Sequence, residues 1–209
     1  MEYVFLAIIL LFSIVIHEVS HGAAANILGD PTAKLAGRLT LNPLKHLDPF
    51  GSVLLPLMLI LLKSPLLIGF AKPVPINPYN FRDQKYGSAK SALAGPAANI
   101  ALALFFGLIL RFLPHSLLGQ GITLMFVYIV YINLLLAFFN LIPIPPLDGS
   151  HILFTFLPSS FRRYEIVLSQ YGFFILIFLL LFFPTLLNFL SYLISLFFSL
   201  IVGTAPLLN

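Results

Sequence analysis

Two histidines and a glutamate within five residues carry the strongest chemical signal in this sequence. His17, Glu18 and His21 form the pattern H-E-x-x-H inside the first apolar run. On an α-helix His17 and His21 lie four residues apart on one face, so both imidazoles can bind one metal ion. Glu18 lies beside them, where its carboxylate can take a proton from a metal-bound water. The alternative is a polar packing patch in which these side chains bond to neighbouring helices.

A third ligand is expected from a carboxylate farther along the chain. Asp148 follows a proline-rich stretch, residues 143–146, which breaks an apolar segment at membrane depth. Two histidines and a carboxylate, with a fourth position left for water, form a typical catalytic zinc site. Asp148 is also a good N-cap for a short helix predicted at residues 149–157. His151, three residues later, can reach the same helix face and is the other candidate ligand.

The composition places these residues in a membrane protein. The chain of 209 residues is 60% hydrophobic and 9% charged, with a mean hydropathy of +1.04, which is typical of membrane-spanning helices. We predict an all-α polytopic membrane protein with about five to six membrane helices, a re-entrant or short helix and short extended segments. Residues 1–209 are expected to form one membrane-embedded domain. Cysteine is absent, which excludes a thiolate metal site.

Between the first two long helices the sequence predicts irregular structure. Residues 34–41 are compatible with a short strand or hairpin, and His46 is expected at the surface. The apolar residues 50–70 are broken by prolines and a lysine, which favours a short or re-entrant helix. Three prolines in residues 69–78 favour an extended path whose backbone could pair with a bound peptide; the alternative is an ordinary loop. Asn99, after a run of small residues, is expected to bond to another helix.

The distribution of positive charge predicts the orientation. Loops 30–48, 71–90 and 158–164 hold nine of the eleven Lys and Arg residues. If residues 50–70 do not cross the membrane, all three loops lie on one side, which the positive-inside rule makes cytoplasmic. His17, His21 and Asp148 then fall toward the cytoplasmic side of a multi-pass protein of the cell membrane. The net charge of +4 is spread over loops, so it indicates topology and not nucleic-acid binding.

Several motifs together resemble the site-2 protease family of intramembrane zinc metalloproteases. They are H-E-V-S-H in a membrane helix, G-P-A-A-N in a later one, and N-L-I-P-I-P-P-L-D-G after a third. The loop G-D-P-T-A and the stretch F-A-K-P-V-P-I-N-P are similar to those of small prokaryotic members. The resemblance covers a catalytic core of about residues 5–157 and leaves a C-terminal helix pair, about residues 165–202. We expect neither the PDZ module nor the regulatory domains of larger members within these 209 residues.

The resemblance implies a role for each matching residue. His17, His21 and Asp148 would bind one Zn²⁺ per chain, Glu18 would be the general base, and Asn140 would position substrate or stabilise the oxyanion. The implied substrate is the transmembrane segment of another protein, and the lipid bilayer is the environment. The sequence departs from the family at His151, where arginine is more often expected. A membrane metal transporter or metal-binding protein that uses the same cluster is the alternative function, and the oligomeric state is left open.

Overall fold

Five long helices dominate the fold. The structure is a computed structural model that describes residues 2–48, 72–113 and 115–203, together with Gly51, Leu54, Met58 and Leu61. The long helices are α1 (Glu2–Ile27), α3 (Gly87–Phe112), α4 (His115–Asn140), α6 (Arg162–Phe182) and α7 (Pro184–Val202). Each contains a stretch long and apolar enough to cross a membrane. This confirms the predicted all-α polytopic membrane protein.

Short elements connect the long helices. These are the helices α2 (Thr32–Leu35) and α5 (Asp148–Phe156). Single 3₁₀ turns also occur at Pro43–Lys45, Pro78–Asn80 and Ser159–Phe161. The re-entrant helix predicted for residues 50–70 lies almost wholly outside the described residues. The break predicted at Pro184 is confirmed, because this proline begins α7, where its missing N–H has no helical partner to lose.

Helices α3, α4 and α7 enclose the main apolar core. Its buried side chains are Ala103, Leu110, Val130, Leu134, Leu190, Ile194, Ile201 and Val202. In a bilayer, helices associate through close van der Waals packing, which small residues at the contact allow. Gly107 is such a residue, because a Cβ at this position would collide with Ile201.

The charged loops gather at one end of this bundle. The Arg82 N–H donates to the Leu28 carbonyl over 2.9 Å, which ties the loop before α3 to the end of α1. The Tyr86 and Phe156 rings lie 6.1 Å apart, which brings the end of α5 to the same place. In the described residues, the three positively charged loops therefore share one end, as the charge counts predicted.

Asp30 anchors this end of the molecule. The fully buried carboxylate accepts hydrogen bonds from the Thr32 N–H at 3.1 Å, the Asn77 N–H at 2.7 Å and the Asn80 side chain at 2.9 Å. Burial alone would raise the pKa of Asp30, but the bonds from Thr32, Asn80 and Asn77 lower it below its ordinary value.

Two expectations for this end were wrong. Residues 34–41 form no strand; α2 begins at Thr32, whose N–H and hydroxyl are held by Asp30, and irregular backbone follows. His46 is fully buried rather than at the surface. Its Nε2 lies 2.9 Å from the Thr40 carbonyl, and its own carbonyl accepts the Lys72 N–H, so it joins two loops.

Candidate metal centre

Three predicted ligand atoms converge between α1 and α5. His17 Nε2 and His21 Nε2 lie 3.0 Å apart on the same face of α1. Asp148 Oδ2, from the first turn of α5, lies 3.1 Å from the first of these nitrogens and 3.2 Å from the second. All three side chains are largely buried, with 7%, 8% and 18% of their surface exposed. Among the described residues, these three form the one group of His, Asp or Glu side chains that could hold a metal ion.

The outer nitrogen of each imidazole is held by α3. His21 Nδ1 donates to the Ser91 carbonyl at 2.8 Å, and the Ser91 hydroxyl donates back to the His21 carbonyl at 3.1 Å. A carbonyl only accepts, so Nδ1 of His21 carries the proton and Nε2 presents a lone pair. His17 Nδ1 lies 2.5 Å from the side-chain oxygen of Asn99.

A buried amide network fixes Asn99 in turn. Its Nδ2 donates to Asn133 Oδ1 at 2.7 Å and to the Ser13 carbonyl at 3.4 Å. Asn133 of α4 donates to the Ser13 hydroxyl at 3.0 Å and to the Ile129 carbonyl at 2.8 Å. Both asparagines are fully buried. Because the amide nitrogen of Asn99 faces two acceptors, its oxygen must face His17, so His17 also carries its proton on Nδ1.

The donor set fits a cation. With both histidines protonated on Nδ1, the cluster brings two imidazole lone pairs and a carboxylate oxygen together. Asp148 Oδ2 is buried and has no hydrogen-bond donor among the described residues. Ligand atoms around a tetrahedral zinc, about 2.0–2.1 Å from the ion, lie roughly 3.3 Å apart. The observed separations of 3.0–3.2 Å are close to that value.

Two glycines make this approach possible. A Cβ at Gly95 would collide with His21 Nε2 and would lie 2.7 Å from His17 Cε1. A Cβ at Gly149 would collide with the Leu141 carbonyl at the end of α4. The small residues predicted to allow close packing therefore bring α3 against the histidines, while Gly149 lets α5 start where Asp148 meets them.

A cavity of about 360 Å³ opens beside the cluster. Its lining includes all five predicted site residues, His151 and part of the loop before α3: His17, Glu18, His21, Pro73, Val74, Ile76, Pro78, Ser88, Ser91, Ala92, Asn140, Pro146, Asp148 and His151. Glu18 Oε2 accepts the Val74 N–H at 2.8 Å. Asn140 donates one N–H to the Leu136 carbonyl at 2.9 Å, and its second N–H has no acceptor among the described residues.

The structure shows the surroundings of the residues whose roles the sequence left open. Asp148 is the first residue of α5, one position after the N-cap Leu147, and among the described residues its side chain accepts no backbone N–H of that helix. The predicted interhelical bond of Asn99 is confirmed, and its partner is a candidate ligand. His151 lines the cavity but stands outside the three-residue cluster. Asn133 was missed, although an amide within an apolar run of 24 residues is itself a signal, because polar groups in membrane helices need partners.

Comparison with known proteins gives a consistent family. The model of "Peptidase family M50" matches residues 109–179. "Putative zinc metalloprotease YwhC" of Bacillus subtilis is 38% identical over 185 residues, which are 85% of this chain and 80% of that protein. The "Putative zinc metalloprotease Rip2" proteins of Mycolicibacterium smegmatis and Mycobacterium tuberculosis are 34% and 32% identical over 82% and 84% of this chain. The matches span 64% and 66% of those two proteins. No solved structure matches the chain.

The chain belongs to peptidase family M50, the site-2 protease family of intramembrane metalloproteases. The resemblance stated from the motifs is thereby confirmed, and a multi-pass membrane protease is the class that the helices and the relatives define together.

Proposed function

We propose that this chain is an intramembrane zinc endopeptidase whose single zinc ion is held by His17, His21 and Asp148. The observation that carries the proposal is the convergence of three lone-pair atoms within 3.2 Å of one another, with no donor from the described residues to Asp148 Oδ2. A cation bound between the ligands would offset the cost of burying these lone pairs beside one another. Two imidazoles and one carboxylate match the ligand set of catalytic zinc sites.

Two further residues act on the reacting groups. A bound zinc ion supplies Lewis acidity, which lowers the pKa of water and polarises the scissile carbonyl. Glu18 takes the proton from the attacking water at a carboxylate oxygen and then delivers it to the leaving amine. Asn140 uses its second N–H to position the substrate or to stabilise the oxyanion. Both side chains line the cavity that holds the three ligands.

The proposed substrates are transmembrane segments of other proteins. A helical segment hides its carbonyls within its own hydrogen bonds, so it must unwind locally before one carbonyl can reach the cluster. Pro73, Val74 and Ile76, from the irregular stretch 72–77, line the cavity along which the unwound segment would lie. Water would enter along the broken end of α4, because Pro146 also lines this cavity.

The site is proposed to face the cytoplasm in the cell membrane. Support comes from the positively charged loops, which lie at the same end of the bundle as the cluster. We also propose a single membrane-embedded domain over residues 1–209, with a catalytic core at about residues 5–157 and a C-terminal helix pair at about 165–202.

A metal transporter finds less support. A transport path needs polar groups on both sides of the site, but beyond Asn99 and Asn133 the described side chains buried between α3, α4 and α7 are apolar. Metal flux into liposomes containing the protein would contradict the protease proposal if cleavage were absent.

Glu18→Gln is the direct test of the activity. The probe is a peptide labelled with a fluorophore and a quencher, with a leucine–alanine span of about 20 residues interrupted by an Asn-Gly pair that weakens the helix. The variant is expected to keep about one zinc per chain but to lose at least a hundredfold in kcat, within the range of general acid–base effects. Cleavage at the wild-type rate by this variant would exclude Glu18 as the base.

A further inference from the structure

Residues 72–77, here called the strap, are held at both ends. At the first end, the Arg38 guanidinium donates to the Lys72 carbonyl at 2.6 Å and to the Pro73 carbonyl at 3.4 Å. The Lys72 N–H donates to the His46 carbonyl at 2.9 Å. At the other end, the Asn77 N–H donates to Asp30 at 2.7 Å. Because Arg38 and Asp30 are both buried, the strap has a defined path past the cavity.

The middle of the strap meets Glu18. The Val74 N–H donates to Glu18 Oε2 at 2.8 Å. Its two neighbours are prolines, which have no N–H of their own and favour extended backbone. Gly22 of α1 allows this approach, since a Cβ there would lie 2.8 Å from Val74 Cγ1. Residues on the strap and on α1 therefore both favour this hydrogen bond.

We propose that the strap is a positioning element for Glu18, with Val74 as the donor and Arg38 as the residue that holds the strap in place. This inference rests on the proposed role of Glu18 as the base. A glutamate side chain has three rotatable bonds, and a fixed N–H bonded to Oε2 restricts them. Because the bond engages Oε2, we assign proton transfer from the reacting water to Oε1.

The same contact limits how a substrate can pair with the strap. Only four strap residues carry an amide N–H, because Pro73 and Pro75 have none. The N–H groups of Lys72, Val74 and Asn77 are already donated within the protein. The expectation that this stretch has a generally unpaired backbone therefore fails for three of its four donors.

Amide hydrogen exchange tests the contact without substrate or metal. The strap contributes four exchangeable amides to a peptide covering it, and three are expected to be protected. In Glu18→Ala the Val74 amide should exchange at least tenfold faster than in the wild type. In Glu18→Gln, the matched control, it should stay protected because the amide oxygen still accepts. Equal Val74 exchange in Glu18→Ala and the wild type would overturn the inference.

Kinetics with the labelled peptide test the consequence. Val74→Pro removes the donor, whereas Val74→Ala shortens the side chain and keeps the N–H. We expect kcat at least tenfold lower in Val74→Pro than in Val74→Ala, with KM within threefold and about one zinc per chain in both. Arg38→Ala should lower kcat in the same way, and Arg38→Lys, which can still donate to the Lys72 carbonyl, should restore part of it.

The outcomes separate this inference from the proposed function. If the wild type binds zinc and cuts the peptide but Val74→Pro and Val74→Ala have equal kcat, the inference is wrong and the proposed function stands. If Val74→Pro loses its zinc, the strap supports the metal ligands and not Glu18, which also overturns the inference. If the zinc-loaded wild type cuts no peptide, the proposed function is wrong. The inference is then wrong too, because it depends on Glu18 being the base.

Discussion

Asn99 is expected to strengthen metal binding at the site, although it contacts only the outer nitrogen, Nδ1, of the His17 ring. In Asn99→Ala the Nδ1–H of His17 loses its acceptor, which lies 2.5 Å away, and Asn133 Oδ1 loses its donor. Removal of such an outer partner typically weakens metal binding 10- to 100-fold, or by about 1.4–2.7 kcal/mol. A competition titration of the detergent-solubilised protein against a chromophoric zinc chelator measures this change.

The control must separate affinity from folding, because Asn99 is fully buried. Gly107→Ala serves this purpose, since its Cβ collides with Ile201 in the core, just over three turns, or about 18 Å, along α3 from Gly95. It should lower the unfolding temperature and leave the zinc Kd within about threefold of the wild type. A wild-type Kd in Asn99→Ala, beside loss of zinc in His17→Ala, would refute the argument that the network orients this ligand.

Three further predictions follow from the same contacts. Elemental analysis should find about one zinc per wild-type chain and almost none in His21→Ala or Asp148→Ala, because each change removes one of three ligands; zinc retained in the Asp148 variant would move the third ligand elsewhere. Gly95→Ala should also lose zinc, since its Cβ collides with His21 Nε2, and full occupancy would show that α1 can shift. Asp30→Asn should destabilise the protein by about 1.5–3 kcal/mol near neutral pH, where the charged hydrogen bonds are made. The pKa of Asp30 is lowered in the folded protein. The charged carboxylate therefore stabilises the fold fully above the ordinary pKa of about 3.9, and this stabilisation is lost as the pH falls through the lower folded-state pKa. In thermal unfolding from pH 3 to 7, the unfolding temperatures of Asp30→Asn and the wild type should converge as the pH falls.

The sequence was informative where the signal was local. The spacing of His17 and His21 determines a shared helix face, and long apolar runs determine the spans, so both were predicted. The approach of Asp148 to these histidines is a tertiary contact. The predicted positions of the three residues toward the same side of the membrane made this contact plausible but did not determine it. His46 was assigned wrongly because a histidine in a polar loop looks exposed until the loop is seen to fold around it. The hydrogen bond from Val74 to Glu18 had no signal at all, since a backbone N–H looks the same at every position that is not proline.

A sequence pattern on α3 indicates which residues contact the two histidines of α1. Ser91, Gly95 and Asn99 are spaced four residues apart, so they form one stripe along the helix. The outer residues of the stripe accept from the Nδ1 atoms of His21 and His17, and the central glycine lies beneath the two inner ring edges. The stripe spans about 12 Å and the histidines about 6 Å along α1, so the Nδ1 atoms point apart toward their acceptors while the Nε2 atoms point together. The two Nε2 lone pairs converge because the acceptors on α3 are eight residues apart, as well as because the histidines on α1 are four residues apart. The acceptor for His21 is the backbone carbonyl of Ser91, whereas the acceptor for His17 is the side chain of Asn99, so only the second depends on which residue stands at its position.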